Sequence, residues 1–314
     1  MKNLILFLLL ALLSSCQQEE KVTIGYQLMA NPWKYLISTG QLDTIDGKKV
    51  EFKKFTSGAK VINAMASGDV DIAIAGSTPI AAGMSQGLDI KLLWILEIIG
   101  EAEALVVKDS INSISDLNGK KVGVPYGSTT HYHLMLALEE AGLSSADVEV
   151  LNLSPPAIVA SWRKGEIDAA FVWAPALEDI KKEGKVLLSS KDMSDKGNPT
   201  FDGIIGNTSF ISANGNFIKS FLNKIIDQHD LYNQTPWKEE SKEVETVASF
   251  VGATKIDVAN ALKGYIFPNK TNHPTQKLNE ILKSTATFLK SQGKIESVLD
   301  SYEDKIATKV IGGL

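Results

Sequence analysis

The sequence predicts an α/β protein of two parallel-sheet lobes, each covered by helices, with a ligand cleft between them. Three observations lead to this prediction. The chain of 314 residues is longer than one ordinary domain. A segment of helix, glycine and apolar strand occurs twice, with its glycines at Gly68 and Gly165. In both copies apolar runs of strand length alternate with helical patterns, as is typical of parallel sheets.

Composition excludes several classes of protein. Hydrophobic residues make up 44% of the chain and charged residues 22%, which excludes wholesale disorder, collagen and a coiled coil. The net charge of −5 is spread along the chain, so nucleic acid is not an expected partner. A single cysteine and four histidines exclude a disulfide framework and any multi-cysteine metal or redox site. We expect no cofactor and no metal.

The N-terminus has the pattern of a secretory signal. Lys2 precedes the apolar run 4–13, which would span about 15 Å as a helix, roughly half of a bilayer core. It is therefore typical of a signal peptide rather than of a membrane span. The run ends in Leu13-Ser14-Ser15-Cys16, which resembles a bacterial lipobox. We expect loss of residues 1–15, a lipid on Cys16, a tether over 16–21 and a location outside the cytoplasmic membrane, with a plain secretory signal as the alternative.

The internal duplication sets the predicted architecture. Ser67-Gly68-Asp69-Val70-Asp71-Ile72-Ala73 recurs as Lys164-Gly165-Glu166-Ile167-Asp168-Ala169-Ala170. Upstream, Ser57 and Ser154 each open a helical pattern at the same spacing. Each glycine fits a helix C-terminus, and the apolar run after it fits a strand buried on both faces. Chance similarity of two βαβ units is the alternative. We assign 22–105 with 206–314 to a first lobe and 106–205 to a second.

The predicted cleft is lined by loops that follow the strands. In parallel sheets, ligands bind beyond the carboxyl ends of the strands. Those positions here are 27–32, 76–79, 126–131 and 173–175. From about Ser212 the pattern is helical, and we expect this part to complete the first lobe.

Two of these loops have the pattern of helix starts. Ser77-Thr78-Pro79 combines hydroxyl groups with an early proline, and Gly127 to Tyr132 leads into an apolar helical run. Helix N-termini present unpaired N–H groups and partial positive charge, so they can hold an anion. Ordinary capping is the alternative for either loop alone. His131 and His133 diverge on a helix, so we expect His131 to be a hydrogen-bond donor and not a metal ligand.

A cation site is suggested by acidic residues near the crossover between the lobes. Glu103 lies among Glu97 and Glu101 and directly precedes an apolar strand, where it could face the cleft. Trp173, at the end of another strand, could form a wall of the ligand site or belong to the core. Acidic surface is the alternative for the glutamates. The sequence contains no pairing of nucleophile and base and no dinucleotide-binding pattern, so binding is favoured over catalysis.

Several stretches resemble a known family. They are Phe55-x-Ser57-Gly58-Ala59, Glu103 to Lys108, Ser128-Thr129-Thr130-His131-Tyr132, Val172-Trp173-Ala174-Pro175-Ala176 and Pro199-Thr200-x-Asp202. They resemble the family of binding proteins for nitrate, sulfonates and thiamine precursors, and within it the taurine-binding branch that serves bacterial ABC transporters. The similarity runs from Val22 to about Phe210.

The resemblance implies the type 2 periplasmic binding protein fold, in which two hinge strands join two lobes that close over a solute. It implies capture of taurine for an ABC permease by a monomer without cofactor. It also implies roles for the predicted site. Ser77, Thr130 and His131, with Thr129 beside them, would hold the sulfonate, Glu103 and Asp202 the ammonium, and Gln27 and Trp173 would line the pocket.

Three alternatives stay open. The solute could be another aliphatic sulfonate, and the departures of Thr78 and the run 203–207 from the usual pattern of the branch allow a different ω-amino sulfonate in particular. The fold is also similar to that of thiamine pyrimidine synthase, an enzyme, but that function would need a cysteine-rich stretch. A receptor sensor domain is the third class.

Overall fold

The computed structural model describes residues 20–314. The predicted signal peptide and residues 16–19 of the predicted tether, with Cys16, lie outside this range. Within it, no helix is long and apolar enough to cross a membrane.

The described chain contains two β-sheets and the helices that cover them. The strands are β1 (Lys21–Gln27), β2 (Thr44–Ile45), β3 (Lys48–Phe55), β4 (Ile72–Gly76), β5 (Ile90–Ile99), β6 (Glu103–Val107), β7 (Lys121–Val124), β8 (Glu149–Asn152), β9 (Ala169–Trp173), β10 (Lys185–Ser189), β11 (Phe201–Asn207) and β12 (Tyr265–Ile266).

The α-helices are α1 (Trp33–Ser38), α2 (Gly58–Ala66), α3 (Ser77–Ser85), α4 (Thr129–Glu140), α5 (Pro155–Arg163), α6 (Ala176–Lys181), α7 (Ser190–Asp195), α8 (Thr208–Ala213), α9 (Gly215–Gln234), α10 (Lys242–Val251), α11 (Lys255–Lys263), α12 (Leu278–Ser291) and α13 (Thr308–Ile311). Short 3₁₀ helices occupy Ile114–Leu117, Thr275–Lys277 and Glu303–Lys305.

The two sheets form the two lobes. The first lobe has the strand order β12-β5-β11-β4-β1-β3-β2, and the second has β10-β6-β9-β7-β8. β1 runs parallel to β3 and β4, and β7 runs parallel to β8 and β9. The two-lobed α/β fold predicted from the sequence is confirmed.

The sheets are mixed rather than wholly parallel, which corrects one detail of the prediction. β11 is antiparallel to β4 and β5, and β6 is antiparallel to β9 and β10. The reason is the connection between the lobes: β6 and β11 are the first strands after each crossing, and each enters the new sheet against the direction of the βαβ strands. The predicted lobe boundaries, 105/106 and 205/206, fall inside these two strands, so the crossings come a few residues earlier.

The internal duplication forms matching units in the two lobes. α2 is followed by Gly68 and the buried strand β4, and α5 is followed by Gly165 and the buried strand β9. The two glycines have φ of +80° and +69°, a region that residues with a Cβ rarely adopt. The glycine at each helix end is therefore required by the backbone, as predicted.

The C-terminal helices pack on the sheet of the first lobe. Phe217, Phe221 and Ile225 of α9 lie in one buried cluster with Ile24 and Trp94 of the first sheet. α12 packs its apolar face against α3 on the other side of the same sheet. Burial of such side chains stabilises the fold by about 25 cal/mol for each Å² of apolar surface removed from water. This packing also fixes the position of the helix starts that border the cleft.

Candidate functional site

A small polar cavity lies between the two lobes, beyond the ends of strands from both sheets. Its lining residues are Gln27, Met29, Gly58, Gly76, Pro79 and Asp202 from the first lobe, and Glu103, Ser128, Thr129 and Trp173 from the second. Its free volume is about 10 Å³, roughly the space that one water molecule needs. The two lobes therefore lie close together at this point.

Three helices begin at this cavity. Gly58 is the first residue of α2, Gly76 directly precedes α3, and Ser128 directly precedes α4. The first N–H groups of a helix have no partner within the helix, and the aligned peptide dipoles make this end partly positive. The convergence of three such ends, from both lobes, makes this part of the cavity suited to an anion.

The hydroxyl groups at the start of α4 are committed to a local network. Ser128 Oγ accepts from the N–H of His131 at 3.1 Å and donates to the carbonyl of Pro125 at 2.6 Å. Because that proton is used, the 2.7 Å contact between Ser128 Oγ and Thr130 Oγ1 is a bond that Thr130 donates. Thr130 is fully buried, so the hydroxyl of Thr130 supports the turn rather than facing the cavity.

His131 is a neutral imidazole. Burial, together with the charge of Lys294, lowers the pKa of His131 to about 4. The N–H of Gly127 donates to Nδ1 at 3.4 Å, which leaves the ring proton on Nε2. The ring stacks on Tyr126 with centroids 4.8 Å apart. His131 is thus held as a donor without charge, next to the cavity but not in its lining.

Glu103 is the buried carboxylate of the second lobe. Thr129 Oγ1 donates to Oε1 at 2.6 Å, and Ser190 Oγ donates to Oε2 at 3.0 Å. Burial raises the pKa of Glu103 to about 8; the nearby Asp202 adds to the increase, and the bonds from Thr129 and Ser190 oppose it. A cation brought to this carboxyl group would favour its ionised form.

Asp202 is the carboxylate that the first lobe contributes to the lining of the cavity. On β11 it lies opposite Gly76 of β4 and Glu97 of β5. Burial raises the pKa of Asp202 to about 6, while a hydrogen-bonding contact with Glu97 and the charge of Lys34 hold it down. Burial, the charge of Asp202 and this contact raise the pKa of Glu97 well above its usual range, whereas Lys34 and Asn31 oppose the increase. The cavity therefore has an acidic end as well as an anion-attracting end.

The structure brings together five of the predicted site residues. Gln27, Glu103, Thr129, Trp173 and Asp202 all line the cavity. Ser77, Thr130 and His131 lie directly behind it, where they are buried at the starts of α3 and α4. The contact of any of the eight with a ligand stays a prediction.

Sequence reasoning missed several residues of the site. Ser190 is far from Glu103 in sequence, so no pattern indicated its role. Glu97 offered a signal, because it is the acidic residue inside the apolar strand Ile90–Ile99. Lys34 offered none, since a lysine near the start of a short helix is normally solvated.

A second chamber adjoins the polar cavity. Gln27 and Trp173 line both spaces, and the chamber has a volume of about 420 Å³. The rest of its wall is mainly apolar and comes from both lobes, with Leu28, Phe55, Pro155, Pro156, Val159, Pro175, Ala176 and Val251 among its residues. Lys54 and Asp179 are its two charged residues.

Metal binding has no support in the described part of the chain, where no three potential ligands cluster. His133 is instead bonded to Ser190 Oγ at 2.8 Å and to the carbonyl of Asn198 at 2.9 Å. Through Ser190, His133 supports the position of Glu103.

The fold and the cavity define a two-lobed α/β protein with a polar cavity between its lobes. A family model described as "NMT1/THI5 like" matches residues 46–227. The chain belongs to this family.

Two curated relatives and one solved structure are similar over most of the chain. The taurine-binding periplasmic protein of Escherichia coli (strain K12) is 36% identical over 307 residues, which cover 96% of this chain and 96% of the relative. A putative aliphatic sulfonates-binding protein of the same organism is 28% identical, covering 71% of this chain and 72% of its own length. The crystal structure of the periplasmic aliphatic sulphonate binding protein SsuA from Escherichia coli matches with a TM-score of 0.76 at 21% identity, covering 93% of this chain and 99% of that one.

Proposed function

We propose that this protein is the substrate-binding component of an ABC importer that captures taurine, 2-aminoethanesulfonate, and delivers it to the permease. One observation carries the proposal: a single cavity joins three helix N-termini to two buried carboxyl groups. A zwitterion with an anionic and a cationic end is complementary to this arrangement. The 36% identity to a taurine-binding periplasmic protein supports the same ligand.

The sulfonate binds at the helix starts. It is ionised at every physiological pH and can only accept hydrogen bonds, so N–H and O–H donors without formal charge satisfy it. The first N–H groups of α2, α3 and α4 supply this environment, with the neutral His131 and the hydroxyl of Ser77 as nearby donors. Thr130 contributes by fixing the turn through Ser128.

The ammonium binds between Glu103 and Asp202. Two carboxylates side by side repel each other until a cation arrives, which disfavours anions that have no amine. Thr129 and Ser190 orient Glu103, and Trp173 lies opposite it across strands β6 and β9. Gln27 completes the wall. Each of these side chains comes from a helix or a strand, which fixes the position of its backbone.

The protein acts as a binding protein and not as an enzyme. The relatives with the longest matches are named for binding, which supports this part of the proposal. We further propose that it acts as a monomer in the periplasm or on the outer face of the cytoplasmic membrane, with the permease as its protein partner.

A ligand panel tests the proposed function. Thermal unfolding is measured with taurine, ethanesulfonate, β-alanine and sulfate. A ligand present at 100 times its dissociation constant adds about 2.7 kcal/mol to the free energy of unfolding. We expect taurine to stabilise the protein at the lowest concentration. Equal or better stabilisation by ethanesulfonate would contradict an ammonium site.

The second candidate ligand is another aliphatic sulfonate. The observation that favours it is the apolar chamber of about 420 Å³ that adjoins the polar cavity, because a longer alkyl substituent could extend there. Tighter binding of butanesulfonate than of taurine would favour this candidate.

We also propose that Cys16 carries a lipid that tethers the mature protein. The motif Leu13-Ser14-Ser15-Cys16 supports the proposal. Cys16→Ser should move the protein from the membrane fraction to the soluble fraction, with ligand binding unchanged. A variant that still requires detergent would contradict the lipid anchor.

A further inference from the structure

Strand β5 is irregular where it runs beside the polar cavity. Along β11, Asp202 pairs with Glu97, but the next residue, Gly203, pairs with Ile95. Leu96 is therefore an extra residue on β5, which is a β-bulge, and β5 has a second bulge further along the same pairing. Bulges bend a strand and re-aim the side chains beside them. The first bulge directly adjoins Asp202, which lines the cavity.

Strand β11 itself gives this pairing little support. Two of its seven residues are glycines, Gly203 and Gly206, and a Gly-rich strand specifies its register weakly. At Gly203 there is no room for a side chain, because an added Cβ would lie 2.6 Å from Cδ1 of Leu92. The placement of Asp202 therefore depends on the contacts that hold β5.

His273 contacts the segment of β5 between the two bulges, Trp94 and Ile95. Nε2 of His273 accepts the N–H of Ile95 at 2.9 Å, and the ring lies on Trp94 with centroids 4.0 Å apart. Because Nε2 is the acceptor, the ring proton is on Nδ1, which donates to Thr275 Oγ1 at 2.7 Å. Burial lowers the pKa of His273 to about 4, so the ring is neutral and Nε2 stays an acceptor near neutral pH. A residue of the loop between β12 and α12 thus holds the bulged segment by a hydrogen bond and by a ring contact.

We propose that His273 is a positioning residue for Asp202: it holds the bulged segment of β5, which fixes the register of β11 and aims Asp202 at the ammonium of the ligand. This inference rests on the proposed function. His273 is not among the residues that line the cavity, so it acts on the ligand through Asp202. The anion end is formed by the starts of α2, α3 and α4. Loss of His273 should therefore reduce the preference for taurine over ethanesulfonate and leave sulfonate binding intact.

Two substitutions separate the hydrogen bond of His273 from its ring contact. His273→Phe keeps a ring on Trp94 but removes the acceptor, so the buried N–H of Ile95 loses its partner, which native structures rarely tolerate. His273→Gln keeps an acceptor near the place of Nε2 but has no ring. Calorimetry should show taurine binding about tenfold weaker in His273→Phe, equal to about 1.4 kcal/mol, with ethanesulfonate binding changed by less than about twofold. His273→Gln should lie within about threefold of wild type for both ligands.

A double-mutant cycle tests whether His273 acts through Asp202. If it does, His273→Phe should change taurine affinity little in a protein that already carries Asp202→Asn, because the effects of residues in one network do not add. We expect the double variant to bind taurine within about twofold of Asp202→Asn alone. Additive losses would show that His273 acts by another route and would overturn the inference.

His229 of α9 provides the matched control. It is another histidine that lies against an aromatic ring, with its centroid 5.0 Å from that of Phe267. Neither of its ring nitrogens has a partner within residues 20–314, so His229→Phe removes no hydrogen bond there. We expect this variant to change the melting temperature only, with the ratio of taurine to ethanesulfonate affinity equal to that of wild type. A changed ratio would mean that the ratio reports general loosening of the lobe, and would overturn the assignment to His273.

Two further results would overturn the inference. One is a folded His273→Phe with the affinity ratio of wild type. The other is equal weakening of taurine and ethanesulfonate, since His273 would then support the lobe as a whole. If His273→Phe does not fold, Thr275→Val takes its place, because it removes the acceptor of the Nδ1 proton. We expect this variant to lose taurine preference by about threefold, and an unchanged preference would count against His273.

Backbone NMR without ligand separates this inference from the proposed function. In wild type the N–H of Ile95 should be protected from hydrogen exchange. His273→Phe should lose this protection and shift the amide signals of Asp202 and Gly203, and His273→Gln should regain both. Failure of wild type to bind taurine would count against the proposed function alone, whereas unchanged signals of Asp202 and Gly203 in His273→Phe would overturn the role of His273.

Discussion

The two copies of the internal duplication share a backbone plan but face different surroundings. In both, a serine precedes a nine-residue helix, and a glycine with positive φ leads into a buried strand. Helix α2 begins with Gly58-Ala59 at the polar cavity, whereas α5 begins with Pro155-Pro156 at the apolar chamber. The scaffold is repeated, but the chemistry at the helix start is not.

The difference follows from the first two residues of each helix. Proline has no N–H, so α5 offers fewer free donors at its start than α2. Ser57 Oγ accepts from the N–H of Lys60 at 3.4 Å and so uses one donor of α2, but Gly58 and Ala59 before it keep their N–H groups. The first copy can therefore attract an anion, while the second presents apolar surface. A duplicated fold thus acquires its ligand preference from a few positions beyond its strands.

The largest expected effect concerns the acidic end of the polar cavity. Glu103→Gln keeps the shape but removes the charge that faces the ammonium. Losing one partner of a buried charge pair costs roughly 2–5 kcal/mol, and we expect the low end, about a 30-fold loss of taurine affinity near pH 8. Ethanesulfonate has no ammonium, so its weak binding should stay the same or improve. Calorimetry with both ligands measures the change in selectivity.

Asp179→Asn is the matched control for Glu103→Gln, since Asp179 is the carboxylate that lines the apolar chamber. Taurine binding should not respond to it. If Glu103→Gln weakened the binding of taurine and of ethanesulfonate equally, Glu103 would not face the amine. The polar cavity and the apolar chamber would then not differ by a carboxylate that binds the ammonium.

The scaffold was predictable from the sequence because its signals are local. Ser57 as a cap, Gly68 and Gly165 at helix ends, and the apolar runs after them each depend on neighbours within a few positions. The buried cluster behind the cavity was not predictable, because Ser190 meets Glu103 across 87 positions. No pattern around either residue indicates that contact.

The hydrogen-bond partners of the hydroxyl groups at the start of α4 were also not predictable from the sequence. The run Ser128-Thr129-Thr130 predicts three hydroxyl groups at a helix start, but it does not predict their partners. In the structure Thr129 bonds to Glu103 and Thr130 to Ser128. The orientation of a hydroxyl group depends on which acceptor the fold brings near it. The run of hydroxyl residues therefore indicated where the site lies, but not the role of each residue.

The next effect is the pH dependence of binding. The pKa of Glu103 is raised to about 8 and that of Asp202 to about 6 in the ligand-free protein. An ammonium favours the ionised forms, so binding releases protons and taurine affinity should rise with pH from 6 to 8, by up to about tenfold per pH unit for one proton. Ethanesulfonate should show the opposite trend or none. Glu103→Gln should flatten the taurine profile above pH 7.

Stability should change with pH in the opposite sense. A carboxyl group with a raised pKa binds more protons in the folded state than in the unfolded state, so the free energy of unfolding falls as pH rises between the two values. For Glu103 this window runs from its usual value of 4.5 to about 8. Ligand-free protein should therefore melt at a lower temperature at pH 8 than at pH 6, and saturating taurine should reduce the difference. A taurine affinity independent of pH would contradict ionisation of Glu103 in the complex.

The smallest effect tests the comparison of the two copies directly. Ala59→Pro gives α2 the residue that Pro156 supplies at the same place in α5, and it removes one N–H from the anion end. Proline is tolerated in the first helical turn, so the melting temperature should change little. Loss of one net hydrogen bond of about 1 kcal/mol should weaken the binding of taurine and of ethanesulfonate alike, by about fivefold.

The reverse exchange, Pro156→Ala, restores an N–H beside the apolar chamber and should leave both affinities unchanged, since no anion binds there. If Pro156→Ala strengthened sulfonate binding, or if Ala59→Pro affected taurine alone, the two helix starts would not differ in the way that their first residues indicate.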